Sequence, residues 1–505
     1  MNTIARGQWG FDGYVTSDCG AVSNIAQTHH YTNSSIATFG VTLPSGMDVG
    51  CDMALVEAGV AAAAVAAGAV TAGDIDGAVA RLLRVRFRLG EFDPPAAQPY
   101  ARIGLDAVCT PAHTALARES ARQSLVLLHN PAGRLPLALA ATRSVALIGP
   151  LANSSRITNG GINYAGIPCG GAAETLLGAF AARAPGALTA VLAPGCASVA
   201  CPDTAGFASA AAAAAAADAT VVVVGLDESI EDEALDRVAL TLPGNQSALI
   251  TAACSAARGP CIVVLMSGGG VDLSAALPSV TGGLLYAGFL GGHGAPAVVD
   301  TVFGDSAPAG RLTQTFYPAD FVHAVSMLDM GVRPGASPFP PGTNPGRTYA
   351  WYTGTPVHRF GEGLSYTTWR TAIEGPALVS LASTRAHLAA FSQHGARFAP
   401  LRGSAPAAAY RVNVTNTGAV DSDYVVLGFL EPPGAGAGGV PLQTLFGFER
   451  VRVAAGGSVE VWLGVGVREL TRVAGGQRVA VPGRWRVRVG LQGEAGGAAA
   501  EFVAE

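Results

Sequence analysis

The sequence contains no lysine, and all 31 of its basic residues are arginine. A chain without lysine cannot form a Schiff base through a lysine amine, hold pyridoxal phosphate in that way or build a Walker-type phosphate loop. Charged residues are also scarce: they make up 13% of the 505 residues, about half the usual share. A weakly acidic chain of net charge −5 is not expected to bind nucleic acid, and a 50% hydrophobic content argues against disorder.

The sequence also lacks several other signals. It has no CxxC pair, no apolar run of about 20 residues that could span a membrane, and no signal-peptide pattern at residues 1–11. The spacing of Cys196 and Cys201, without a histidine cluster, does not predict a zinc site, and no metal or organic cofactor is expected. Eight cysteines favour disulfides and an oxidising compartment, as do the glycosylation sequons at Asn33, Asn153, Asn245 and Asn413.

Periodicity predicts an α/β region in the first two thirds of the chain. Residues 9–17 are predicted to form a short strand that ends at Asp18, and helices are predicted over 53–69, 74–89 and 113–128. Short apolar runs without strict alternation then indicate a largely parallel sheet that is buried on both faces. These strands are predicted at 145–148, 188–192, 221–224, 262–266 and 283–286, and helices between them at 171–183, 205–216, 245–257 and 295–302.

From residue 408 the period changes to two, which predicts an antiparallel β-sandwich of about 100 residues. The chain is therefore expected to be multidomain, α/β followed by β. The predicted divisions are an N-terminal part at 1–95, a linker at 96–112, an α/β sandwich at 113–325, a Gly/Pro-rich connection at 326–405 and the β-sandwich at 406–505. One strand and two helices cannot bury a sheet of their own, so the first part is expected to belong to something larger.

The motifs resemble glycoside hydrolase family 3, in its β-xylosidase and α-L-arabinofuranosidase branch. Each motif is weak alone, but together and in this order they are specific. They are GFDGYVTSD at 10–18, GMDVGC at 46–51, ARESARQSLVLLHN at 117–130, NYAGIPC at 163–169, VGLDESIEDEALDR at 224–237, VFGDSAPAGRL at 302–312 and RFGEGLSY at 359–366.

The resemblance implies a fold and an organisation. Residues 1–95 would be the last part of a catalytic TIM-like barrel, of which most strands are missing, and the C-terminal sandwich would be a fibronectin type III-like domain. A TIM barrel normally needs about 250 residues, so we expect an N-terminally truncated chain whose activity is impaired because substrate positioning is lost. A longer protein could also carry a signal peptide, which would place it outside the cell or in the cell wall.

The resemblance implies retaining, exo-acting hydrolysis of terminal β-D-xylosyl residues from xylo-oligosaccharides. Such hydrolysis uses two carboxyl groups, a nucleophile and an acid/base. Asp18, at the end of its predicted strand, matches the nucleophile position. Glu231 is our choice for the acid/base within an acidic loop, with Glu228 and Glu233 as alternatives.

The same resemblance suggests lesser roles for nearby residues. Cys19 and Cys51 are expected to pair and close the nucleophile loop, with two free thiols as the alternative. Met47 and Asp48 could form part of the pocket wall. Asp236 and Arg237 are expected to form an ion pair that braces the acidic loop. Ser267 and the three glycines after it follow a predicted strand but do not match a dinucleotide fingerprint.

Two other functions remain open at this point. One is a β-glucosidase or α-L-arabinofuranosidase of the same family. The other is a non-catalytic remnant that binds carbohydrate or a partner protein.

Overall fold

The structure is a computed structural model that describes residues 1–51, 59–155, 174–232, 235–393 and 406–505, with the side chains of 390–393 left out. The chain divides into two compact units. The first comprises Met1–Val108 and Ala386–Gly403, and the second comprises Cys109–Arg385 and Ser404–Glu505.

The first unit is helical over its described residues. It begins with a π-helical segment, Asn2–Gln8, which is followed by α1 (Ala21–Gln27), α2 (Ser35–Thr42), α3 (Val60–Ala66) and α4 (Ala72–Arg88). Helix α4 begins with a capping box between Thr71 and Asp74. A small apolar cluster formed by Leu43, Ala64, Val70 and Ala78 lies between these helices.

The prediction of a strand over 9–17 is wrong. Within the described part of this unit, the only β pairing of that segment is a single parallel bridge between Thr16 and Val49. Of the helix predicted at 53–69, the structure describes Val60–Ala66, and residues 52–58 lie outside the described part of the chain.

The second unit opens with an α/β region built on a six-stranded sheet of order β1-β6-β5-β4-β2-β3. Its strands are β1 (Val126–His129), β2 (Ser144–Ile148), β3 (Thr189–Ala193), β4 (Ala219–Gly225), β5 (Cys261–Met266) and β6 (Gly283–Tyr286). Its helices are α5 (Pro111–Ser124), α6 (Leu176–Arg183), α7 (Phe207–Ala216), α8 (Gln246–Ala256) and α9 (Gly294–Val302). All neighbouring strands are parallel except β1, which runs antiparallel to β6.

The largely parallel sheet and its five predicted strands are confirmed. Every residue of β4 and β5 is buried, as expected for strands covered by helices on both faces. The helix predicted over 113–128 is wrong at its end, because α5 stops at Ser124 and residues 126–129 form β1. Val126 and Leu127 are buried when they pair with β6, and this burial outweighs a local helical periodicity.

The connecting segment carries short elements: α10 (Phe321–Ala324), β7 (Gly335–Ala336), β8 (Thr343–Asn344), α11 (Thr348–Trp351), β9 (Trp369–Glu374), β10 (Leu378–Val379) and α12 (Ala382–Gln393). The remaining strands are β11 (Ala408–Asn416), β12 (Ser422–Glu431), β13 (Thr444–Val453), β14 (Ser458–Val465), β15 (Thr471–Ala474), β16 (Gln477–Ala480), β17 (Gly483–Val489) and β18 (Ala498–Ala504).

Two sheets built from these strands pack face to face, which confirms the predicted β-sandwich. One has the order β10-β18-β17-β12-β13, and the other has the order β14-β11-β9. In β11, buried residues alternate with less buried ones, and Tyr410, Val412 and Val414 lie in the core. In the part of the chain that is described, no helix is long and apolar enough to cross a membrane.

Candidate active site

The segment that carries Asp18 is held against a second segment of the first unit. Ser17 donates its N–H to the Val49 carbonyl at 2.9 Å, and the Cys51 N–H is donated to Ser17 Oγ at 2.9 Å. A disulfide joins Cys19 to Cys51, so the pairing is confirmed and the alternative of two free thiols is wrong. Asp18 thus has a fixed backbone on both sides without belonging to a regular strand.

Asp48 is the polar centre of this arrangement. Its side chain is fully buried. Its Oδ2 lies 2.5 Å from Arg6 Nη2 and accepts the Val15 N–H at 2.7 Å, and its Oδ1 lies 2.7 Å from Arg81 Nε. Because both of its oxygens are occupied by these partners, Asp48 acts as a structural anchor for the segment that leads to Asp18.

Asp18 itself is exposed. Its Oδ1 accepts the N–H of Cys19 at 2.8 Å, so one carboxylate oxygen is oriented by the backbone. Within the described chain, Asp18 has no cationic partner that would neutralise its charge. His29 and His30 are exposed as well, and His30 Nδ1 lies 3.1 Å from the Ala26 carbonyl.

In the second unit, the acidic loop begins where β4 ends. Gly225 has φ +153°, and a Cβ there would lie 1.7 Å from the Met266 carbonyl, so only glycine lets β4 end this close to β5. Asp227 then folds the chain back: its Oδ1 accepts from the N–H and hydroxyl of Ser229, and its carbonyl accepts from Ile230 and Glu231. Asp227 is therefore a turn residue that positions Glu231.

Glu231 is half-buried and pairs with Arg237. Glu231 Oε2 lies 3.5 Å from Arg237 Nε, and Arg237 Nη2 donates to the Gly270 carbonyl at 3.0 Å. Burial lowers the pKa of the Arg237 guanidinium from its ordinary value, whereas the Glu231 charge opposes that shift. The expected ion pair between Asp236 and Arg237 is absent from the described residues, because Asp236 is exposed and the arginine is directed to Glu231.

The loop after β5 forms the other wall of this site. Tyr286 donates its hydroxyl to the Ser267 carbonyl at 2.9 Å, and Gln314 donates to the Gly268 carbonyl at 3.0 Å. Burial raises the pKa of the Tyr286 hydroxyl, so it stays a donor. A Cβ at Gly268 would lie 3.3 Å from Glu231 Oε1, and one at Gly269 would lie 2.7 Å from Arg237 Nη2. The glycines thus allow the loop to approach the ion pair.

The structure brings Glu231 together with Arg237, Tyr286 and Gln314 at the carboxyl ends of β4, β5 and β6, which is where ligand sites form in open α/β sheets. Sequence reasoning missed Tyr286 and Gln314. The position of Tyr286 at the end of a predicted strand is the signal that could have found it. Asp18 lies in the first unit and Glu231 in the second. Of the alternatives to Glu231, Glu228 is half-buried in the same loop, and Glu233 lies outside the described residues.

Comparisons with known proteins agree with the motifs. The model of the glycosyl hydrolase family 3 C-terminal domain matches residues 125–366, and that of a fibronectin type III-like domain matches 424–492. The chain is 39% identical over 476 residues to a "Beta-D-xylosidase 1" from Arabidopsis thaliana, covering 92% of this chain and 59% of the relative. It is 35% identical to a "Probable exo-1,4-beta-xylosidase" from Aspergillus terreus, covering 97% of this chain and 60% of the relative.

A solved structure of a family 3 exo-β-xylosidase in complex with a xylobiose aziridine probe has a TM-score of 0.85 at 31% identity, covering 100% of this chain and 63% of the other. A β-glucosidase from Listeria innocua has a TM-score of 0.78 at 21% identity and supports the fold alone. Residues 125–366 therefore belong to the C-terminal domain of glycosyl hydrolase family 3. The chain spans 57–60% of the length of the curated relatives that it matches over about nine tenths of its own length or more.

Proposed function

We propose that the protein is a retaining, exo-acting β-xylosidase that removes terminal β-D-xylosyl residues from xylo-oligosaccharides in the breakdown of xylan. The observation that carries this proposal is the 39% identity, over 92% of this chain, to a relative named as a β-D-xylosidase. The likeness at 31% identity to an exo-β-xylosidase in complex with a xylose-configured probe supports the same sugar.

In the proposed mechanism, the Asp18 carboxylate attacks the anomeric carbon while Glu231 donates a proton to the leaving oxygen. The covalent glycosyl-enzyme is then hydrolysed by a water molecule that Glu231 deprotonates. The exposure of Asp18 and its single backbone hydrogen bond suit a nucleophile that must keep its charge. The Glu231–Arg237 pair suits a group that needs a fixed orientation in both steps. The mechanism needs no metal or organic cofactor.

Relative rates on three aryl glycosides test the substrate. The 505-residue chain should hydrolyse a nitrophenyl β-D-xyloside faster than the matching β-D-glucoside and α-L-arabinofuranoside, because relatives over most of the chain are named for xylosides. The readout is the ratio of the kcat/KM values for two substrates, because this ratio does not depend on how active the chain is overall. A higher value for the glucoside or the arabinofuranoside would favour that alternative, and binding without hydrolysis of any of the three would favour a non-catalytic remnant.

The acid/base assignment is tested by the leaving group. Glu231→Ala should slow hydrolysis of a xyloside with a poor leaving group by about 10²- to 10⁴-fold, the usual contribution of general acid catalysis, but should affect release of an activated phenol less. Glu228→Ala is the matched control from the same loop. If Glu228→Ala shows the strong leaving-group dependence and Glu231→Ala does not, the two roles must be exchanged.

We also infer that the protein functions in an oxidising compartment, outside the cell or in the cell wall, as a glycoprotein. Disulfides between Cys196 and Cys201 and between Cys254 and Cys261, in addition to Cys19–Cys51, support this inference. Thiol titration of the protein from its source should detect no free cysteine, and reduced thiols would contradict the inference.

A further inference from the structure

A cavity of about 320 Å³ lies in the second unit, far along the chain from either proposed catalytic carboxylate. One side is formed by the connecting segment from Thr348 to Phe360, and the other by residues of β12 and β17 and the loops that flank them. Neither Asp18 nor Glu231 lines it. Its volume lies at the lower end of the range of small-molecule sites and suits one or two sugar rings.

Aromatic rings in the cavity lining are fixed by their neighbours. Tyr349 and Phe360 stack with centroids 4.4 Å apart, and Tyr349 also packs edge-on against Phe429 at 5.8 Å. Tyr352 packs edge-on against Tyr317 at 4.9 Å. Rigid aromatic surface of this kind offers apolar contact area at little cost in conformational entropy, and the C–H faces of a sugar ring can use it.

Hydrogen bonds within the protein also fix the polar side chains of the lining. Arg488 is 6% exposed, and its Nε donates to Glu431 Oε1 at 3.1 Å. Its Nη1 donates to the Gly490 carbonyl at 2.5 Å, and its Nη2 donates to Gln443 Oε1. Glu431 therefore already has a cationic partner, and the buried Arg488 guanidinium already has an anionic one.

Arg359 differs from Arg488. It is exposed, and it donates through Nη1 to the Gln492 carbonyl at 2.7 Å and through its backbone N–H to Glu362 Oε2 at 2.9 Å. In the described part of the chain, its guanidinium has no carboxylate within ion-pair distance. The lining thus contains two arginines and one glutamate, which leaves one positive charge in excess. A guanidinium with free N–H groups recognises a carboxylate with two parallel hydrogen bonds.

We propose that this cavity is a binding site for a carboxylate-bearing sugar, namely a hexuronic acid residue of an oligosaccharide or polysaccharide. The ring lies against Tyr352 and Phe360, and the carboxylate pairs with Arg359. The site is separate from the proposed hydrolytic one, and it would hold an acidic branch of a polysaccharide without cleaving it.

Calorimetric titration of the 505-residue chain with three methyl glycosides tests the proposal. Methyl β-D-glucuronide, methyl β-D-glucoside and methyl β-D-xyloside share their ring and differ at C5, where they carry a carboxylate, a hydroxymethyl group or hydrogen. The glucuronide should bind about tenfold or more tightly than the other two, as expected for one charge-assisted contact, and added salt should reduce this preference. Equal affinities, or no heat of binding from the glucuronide, would overturn the proposal.

Variants locate the site and separate it from hydrolysis. Arg359→Gln should remove the preference for the glucuronide, whereas Arg484→Gln, which removes an exposed arginine elsewhere on the sandwich, should leave it intact. The midpoints of thermal unfolding of both variants should match that of the parent, so that lost binding is not lost folding. Glucuronide affinity should be unchanged in an Asp18→Ala/Glu231→Gln double variant. Loss of binding in that variant, or full binding by Arg359→Gln, would show that the sugar binds elsewhere.

Discussion

Asp18→Ala should abolish covalent labelling by a xylose-configured aziridine probe and lower hydrolysis of an aryl β-xyloside on the order of 10³-fold or more. The probe reacts when a carboxylate attacks the aziridine carbon at the anomeric position: a C–O bond forms, the C–N bond breaks and the nitrogen takes up a proton. Labelling therefore requires one nucleophilic attack and no turnover. A methyl group at position 18 cannot form that ester. Intact-protein mass should show one label on the parent chain, and peptide mapping should place it on Asp18.

The control for this experiment is Asp76→Ala. Asp76 is also an exposed aspartate of the first unit, on α4, and it belongs to no proposed site. Its replacement should change neither the labelling nor the rate. A label on another carboxylate of the parent chain, or full labelling of the Asp18→Ala chain, would refute the nucleophile assignment but would not affect the match of residues 125–366 to the family 3 C-terminal domain.

The parallel sheet was predictable because its central strands, β4 and β5, are buried along their whole length and are almost entirely apolar. Residues 221–224 are four consecutive valines. Such a run predicts a strand that is buried on both faces, and the structure shows this strand. The alternation in 410–414 predicts the sandwich strand β11 for a different reason, because one of its faces lies in the core and the other is more exposed. In both cases the pattern is local, and the apolar residues that form it are buried.

The site was less predictable because its contacts join residues that are distant in sequence. Adjacent opposite charges suggested that Asp236 pairs with Arg237, but the turn made by Asp227 directs Arg237 to Glu231 instead. Tyr286 reaches the loop after β5 because the sheet order places β5 beside β6, and Gln314 reaches the same loop from a segment outside the sheet. Spacing along the chain contains no information about that order.

The structure of the segment before Asp18 was also not predictable from the local sequence. Its apolar residues predicted a strand, but a strand needs a neighbour along its length, and over the described residues the chain offers one bridge to Val49. The segment is held instead by a disulfide and by the buried carboxylate of Asp48. The motif and the local structure around it are therefore separate predictions: the strand is wrong, and Asp18 as the nucleophile stays a prediction.

Asp48→Ala should destabilise the first unit by about 3–5 kcal/mol, the usual cost of removing one partner from a buried ion pair. The substitution leaves Arg6 and Arg81 facing each other without a counter-charge, and it removes the acceptor of the Val15 N–H. Hydrogen exchange of peptides from residues 9–20 should speed up strongly, whereas peptides from β4 and β5 in the second unit should keep their protection.

An exposed ion pair of the same unit is the matched control. Asp12 lies 2.6 Å from Arg88, a distance similar to those of the Asp48 pairs, but more than half of each side chain is exposed. Water screens this pair, so Asp12→Ala should leave the exchange rates close to those of the parent chain. If Asp48 anchors the segment that leads to Asp18, the Asp48→Ala chain should not be labelled by the probe at Asp18, whereas the Asp12→Ala chain should be labelled there. Equal effects of the two substitutions would mean that burial of Asp48 does not determine the stability of this segment.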